Sequence, residues 1–123
     1  MEYRFAWVTL HVRDMDASLA FYRDFLGLLE QSRMKPNPDM EIAFLGSGDA
    51  QIELIAGRQH SASTCGDSLS IGFVVPGTLE DLMPVLKSRG VSRRGEPVQP
   101  NPHIRFMYVS DPDGFAVQLI QRL

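Results

Sequence analysis

The feature that most restricts this chain is a pattern written twice. Trp7-Val8-Thr9-Leu10-His11-Val12 alternates in strand fashion, and Ser70-Ile71-Gly72-Phe73-Val74-Val75 is its counterpart in the second half. In the same way Glu53-Leu54-Ile55 is answered by Gln118-Leu119-Ile120. Ser70 lies 63 positions after Trp7, and Gln118 lies 65 positions after Glu53. Two landmarks with nearly one offset indicate a duplicated unit of about half the chain. Identity between the copies is weak, so the order of elements carries the argument: strand, helix, three strands, twice. That order predicts an α+β fold of two βαβββ modules, half-repeats 1–57 and 68–123 joined by a linker over 58–67, in a single domain. The halves are expected to form a curved mixed sheet around a central cavity, with a helix outside each.

Local signals place the elements. Asp14 and Asp16 are N-cap residues for a helix near 16–26, whose apolar stripe is Leu19, Tyr22, Phe25 and Leu26, with Gly27 as its stop. Strands are predicted near Leu29 to Met34, Ile42 to Leu45 and Gln51 to Ile55. In the second half, Thr78 to Asp81 reads as a capping box for a helix near 79–89 that Gly90 ends. Pro84 should kink this helix or confine it to a short segment. Two clear strands follow, Ile104 to Val109 and Phe115 to Ile120, separated by the turn Asp111-Pro112-Asp113-Gly114.

Charge and composition exclude several classes. A net charge of −3 argues against nucleic acid as a partner. The one basic cluster, Arg89, Arg93 and Arg94, reads as a solvated loop. No apolar run is long enough to span a bilayer, so no membrane partner is expected, and Met1 to Trp7 lack a signal peptide's features. Cys65 is the single cysteine, which rules out an intramolecular disulfide and makes the cytoplasm the default location. It reads as an incidental loop thiol, and His60 and His103 as loop residues.

Three segments, read together, carry a family resemblance: HVRDMDASLAFYRDFLGL over 11–28, AQIELI over 50–55 and DPDGFAVQLI over 111–120. In this order and spacing the chain resembles the vicinal oxygen chelate superfamily, the glyoxalase/bleomycin-resistance/dioxygenase group. The resemblance implies four inward positions that hold a divalent metal, two from each half. They fall here on Trp7, Glu53, Ser70 and Gln118, where the usual residues are His or Gln, Glu, His and Glu. Only Glu53 matches. Indole has no lone pair to give, Ser70 is a weak ligand, and Gln118 offers a neutral carbonyl oxygen, whereas a catalytic ion wants about three good ligands. His11 opens the familiar string, but the family's ligand lies seven residues before Asp14, at Trp7. His11 shares the parity of Trp7, so it either contacts a ligand or is a half-buried strand histidine. Glu53 shares a face with Gln51 and Ile55. Without a metal it either finds another partner, His11, Gln118 or a cationic ligand group, or sits at a wet edge.

These residues predict a metal-independent protein that sequesters a small molecule, as bleomycin-resistance proteins do, with Trp7, His11, Glu53, Ser70 and Gln118 as ligand-binding positions. The ligand expected is aromatic or cationic, and no cofactor is expected. The alternative is a lactoylglutathione lyase (glyoxalase I)-like enzyme, with a divalent metal as cofactor and Glu53 in its catalytic site. A ring-cleaving dioxygenase fits least, since two histidines and a carboxylate are absent from the aligned positions. The resemblance also implies a homodimer.

Overall fold

The computed structural model describes residues 2–57 and 69–123. The chain divides into two compact units, Met1–Thr64 and Cys65–Leu123, each with one four-stranded mixed sheet.

In the first unit β1 (Trp7–Val12) pairs in parallel with β4 (Gln51–Gly57), and β3 (Met40–Leu45) and β2 (Glu30–Asn37) add antiparallel strands in the order β1-β4-β3-β2. Parallel pairing of the first and last strands requires a crossover, and the helical segment supplies it. That segment begins as α1 (Met15–Leu19) and widens into a π-helical stretch over Ala20–Phe25, in which the Leu26 N–H donates to the Phe21 carbonyl at 2.9 Å. Asp14 caps it, its Oδ1 accepting from the N–H of Asp16 at 3.0 Å and of Ala17 at 3.4 Å. Gly27 leaves the helix at φ +78°, a conformation that side chains resist. Leu10, Val12, Leu45, Ile52 and Leu54 from the sheet and Met15, Leu19 and Tyr22 from the helix are buried. Each such side chain contributes roughly 1.5–3 kcal/mol of burial energy. Glu30 binds both Arg23 and Arg33 at 2.8 Å. The bonds from Arg33 and then Arg23 hold its carboxyl below the ordinary range.

The second unit repeats this plan. Strands β5 (Ser70–Val74), β6 (Val98–Asn101), β7 (Ile104–Ser110) and β8 (Ala116–Arg122) lie in the order β5-β8-β7-β6, with β5 and β8 parallel. Helix α2 (Leu79–Arg89) carries the capping box at Thr78 and Asp81 and ends at Gly90, φ +67°. It buries Leu79 and Leu86. Its N-terminus is tied to the sheet by Gln121, whose Oε1 accepts from the Leu79 N–H at 3.0 Å and from Arg105 at 3.2 Å. Arg105 also grips both oxygens of Glu80, at 2.8 and 2.7 Å. This bond, with a smaller contribution from Glu80's own backbone, lowers the Glu80 carboxyl to about 2.

Three expectations need correction. The helix near 16–26 is two hydrogen-bonding patterns in succession, and it starts at Met15. Pro84 does not shorten α2, which runs five residues past it to Arg89. The buried leucines and the caps at both ends outweigh the one lost hydrogen bond. The third strand that the repeat requires in the second half is β6, which no local signal had placed. The two mixed half-sheets that the repeat implies are present, as one four-stranded ladder in each unit. Arg93 is more than a solvated loop cation: it bridges to Val109 in the sheet and pairs with Glu96 at 2.9 Å. His103 lies beside β6, its N–H bonded to Asn101 Oδ1 at 2.8 Å. His60, Cys65 and the linker 58–67 fall outside the described residues. No helix among the described residues is long and apolar enough to cross a membrane.

Candidate functional site

Strand alternation sorts each sheet into two faces. In the first unit the even positions of β1 and β4 turn to the core, leaving Trp7, Thr9 and His11 exposed and Glu53 half-buried. The ladder puts Glu53 directly between Thr9 on β1 and Phe44 on β3. Thr9 Oγ1 donates to Glu53 Oε1 at 2.6 Å, a short bond of the charge-assisted kind. Trp7 stays 50% exposed, so half its surface is available to a ligand. Its ring meets Phe44 edge to face, with centroids 5.2 Å apart at 77°. The result is a carboxylate fixed by a hydroxyl, on a face it shares with two aromatic rings.

The second unit places Gln118 in the corresponding register, between Gly72 on β5 and Tyr108 on β7. Ser70 is exposed at the head of β5, two residues before Gly72, as Trp7 stands two residues before Thr9. A Cβ on Gly72 would meet Ile120 Cδ1 at 3.2 Å and Gln118 Oε1 at 3.4 Å. The missing side chain is therefore what gives the amide its room. Tyr108 packs against Phe106 with centroids 5.8 Å apart at 81°.

The structure thus brings Trp7, His11 and Glu53 to one face of the first unit, and Ser70 and Gln118 to one face of the second. His11 sits across from Ile55 and is exposed, where a half-buried position was one expectation. Glu53 finds a partner that sequence reasoning did not name. Within the first unit that partner is Thr9. The alternation that places Trp7 and His11 together includes Thr9 between them, so the signal was present. Phe44 and Tyr108 were also missed, because only the register shows each opposite an acidic or amide residue.

A divalent ion of the kind the resemblance implies does not suit these side chains. Counted as donors, the four aligned positions give one carboxylate already engaged by Thr9, one neutral amide oxygen, one hydroxyl and an indole. Structural and catalytic ions hold three or four nitrogen, sulfur or carboxylate ligands. Among the described residues no three His, Cys, Asp or Glu side chains come together in a way that would hold an ion.

Comparison with known proteins gives this geometry a context. Residues 4–119 match the model of the Glyoxalase/Bleomycin resistance protein/Dioxygenase superfamily. A probable lactoylglutathione lyase of Synechocystis is 30% identical over 91% of this chain and 90% of its own length. Lactoylglutathione lyase GLX1 of Arabidopsis thaliana is 27% identical over 97% of this chain, which spans only 44% of that protein. Among solved structures, a glyoxalase family protein from Bacillus cereus superposes with a TM-score of 0.83 at 21% identity, covering 100% of this chain and 96% of its own. TnmS3, an antibiotic binding protein from Streptomyces, superposes with a TM-score of 0.71 at 19% identity over 99% and 98% of the two chains. With its two βαβββ units and a family match over nearly its whole length, the chain belongs to the Glyoxalase/Bleomycin resistance protein/Dioxygenase superfamily.

Proposed function

We propose that this member of the superfamily binds a small organic molecule and holds no resident metal ion. Trp7, His11 and Glu53 contribute from the first unit, and Ser70 and Gln118 from the second. The observation that supports this best is Trp7 itself. An indole stands at the first ligand position, half exposed and edge-on to Phe44, where it can stack on a ligand and cannot ligate an ion. TnmS3, an antibiotic binding protein, shares the fold, which supports a binding reading.

A second reading, a lactoylglutathione lyase-like enzyme, has its own support. Relatives at 30–32% identity are named as such lyases. By relatives' names this second reading is the better supported; by donor chemistry the first is. In the enzyme reading Glu53 belongs to the catalytic site, and a divalent ion would polarise the substrate.

Metal analysis of protein purified without chelator decides between them, paired with thermal shifts in zinc, nickel and manganese and an assay for isomerisation of the hemithioacetal of methylglyoxal and glutathione. The expected result is substoichiometric metal, no metal-dependent shift and no turnover. One equivalent of tightly held ion, lost together with turnover in Glu53→Gln, would overturn the binding reading and establish the enzyme.

A further inference from the structure

The first unit's exposed sheet face carries a more specific message about what it takes. We infer that its ligand is an organic ammonium borne on a flat apolar body, with Glu53 as the counter-charge and Thr9 as the residue that positions it. The inference rests on the metal-independent binding reading above.

Charge gives the first argument. Along the register from β1 through β4 to β3, the exposed-side positions include Trp7, Thr9, His11, Gln51, Glu53, Ile55 and Phe44. Glu53 is the one carboxylate among them, none is Lys or Arg, and His11, across from Ile55 rather than from Glu53, is the one imidazole. A half-buried carboxylate calls for donors or a cation. Among the described residues the one side chain bonded to Glu53 is Thr9, which supplies a single proton, to Oε1. A carboxylate has about four acceptor sites, so most of its capacity, including that of Oε2, is not taken up by the one bond from Thr9.

Shape and ring chemistry give the second. A divalent metal needs several hard or nitrogen donors and finds one here. A primary ammonium needs less: one carboxylate and, beside it, the electron-rich faces of aromatic rings. Trp7 and Phe44 are those rings, and Phe44 is Glu53's direct ladder neighbour. The exposed half of the indole gives the ligand's flat body a surface. The second unit shows what the face lacks when the charge is removed. There Gln118 replaces the carboxylate, Gly72 the threonine and Ser70 the indole. Gln118 and Ser70 can accept or donate hydrogen bonds, and none of the three can neutralise a cation.

The Thr9 bond matters for precision. Its hydroxyl fixes one carboxylate oxygen and so sets where the other points. Without it the carboxylate remains but samples more rotamers, and ordering it on binding costs affinity.

Trp7 is the chain's single tryptophan, so quenching of its fluorescence reports on this face directly. The probes are 2-phenylethylamine, 2-phenylethanol and 3-phenylpropionate, which share a ring and differ in charge. The amine is expected to bind about tenfold tighter than the alcohol, and the carboxylate most weakly. Glu53→Gln should cancel the amine's advantage, about tenfold, and leave the alcohol within about twofold; retained alcohol binding certifies the fold. Thr9→Val should weaken the amine about threefold, and Thr9→Ser should restore it. Should Glu53→Gln not fold, the unaltered protein still decides, since raising salt must weaken the amine and spare the alcohol. Equal affinities for amine and alcohol, or an amine indifferent to both Glu53→Gln and salt, overturn the ammonium inference while the binding reading stands. Quenching by none of the three overturns it as well, and the metal analysis then judges the binding reading separately.

Discussion

In the first unit Glu53 lies between Thr9 and Phe44 across the ladder; in the second, Gln118 lies between Gly72 and Tyr108. The backbone plan is the same in both. A parallel pair joins first strand to last, two antiparallel strands complete the sheet, and a capped helix makes the crossover. What differs is the chemistry on the exposed side. One face has a fixed negative charge and a half-exposed indole, and the other an amide given space by a glycine. The buried sides stay alike in kind, with Leu54 and Leu119 fully buried at the matching position. Pairing register decides where a side chain points, and it leaves the identity of outward residues open. Similarity of fold and divergence of site are thus compatible within a single chain.

The sharpest test of this equivalence is in the two cores. Leu54→Ala and Leu119→Ala should each destabilise by about 2–5 kcal/mol, read from urea unfolding. Leu54 should cost more. Its ladder neighbours are Leu10 and Ala43, whereas Leu119 adjoins Met107, a flexible side chain able to settle into the gap. A larger loss at Leu119 would break the proposed ranking.

The helix caps differ next. Asp14→Ala should cost about 1–2 kcal/mol and Thr78→Ala about 0.5–1 kcal/mol in the same assay. Asp14 accepts from two N–H groups and brings a charge to the positive end of the helix. Thr78 accepts from one, with Asp81 returning a longer 3.5 Å bond. Asp14→Asn should recover most of the first loss, and failure to do so would point to the charge over the bond.

The smallest effect expected is in acid. Glu80 has a folded value near 2 against an ordinary 4.5, chiefly because Arg105 bonds it. A depressed value means that the stabilisation is complete above pH 4.5 and disappears as pH falls from there towards 2. Glu30 is lowered in the same direction by Arg33 and Arg23. Carboxyl NMR titration should find both below the ordinary range. Glu80→Gln should flatten the acid limb of stability between those two pH values. The change should shrink in high salt, because these pairs are open to water. Glu80 titrating near 4.5 would show that the Arg105 pair does not persist in solution.

Much of this architecture could be read before the structure. Thr78, Asp81 and Gly90 mark both ends of α2, because caps are local chemistry. Alternation from Trp7 to Val12 gave the right faces, because a strand's period is fixed. Three things escaped. The π-helical stretch over Ala20–Phe25 has no composition of its own. β6 contains Pro100, follows Pro97 and exposes all four of its residues, so it lacks the apolar alternation that reveals strands. The Thr9–Glu53 bond joins residues 44 positions apart, and a contact at that range depends on a pairing register that sequence alone did not supply.

The parallel ladders also bear on the order in which the molecule can be made. Trp7 meets Gln51 and Ser70 meets Ala116, so neither sheet can close until its fourth strand has been synthesised. The hairpin of β3 and β4 is local and can form early, whereas β1 must wait across more than forty residues for its place beside β4. The first unit reaches that point at Gly57, with the second still to be translated. Until β4 emerges, the backbone groups of β1 that the parallel ladder will use remain an unpaired strand edge.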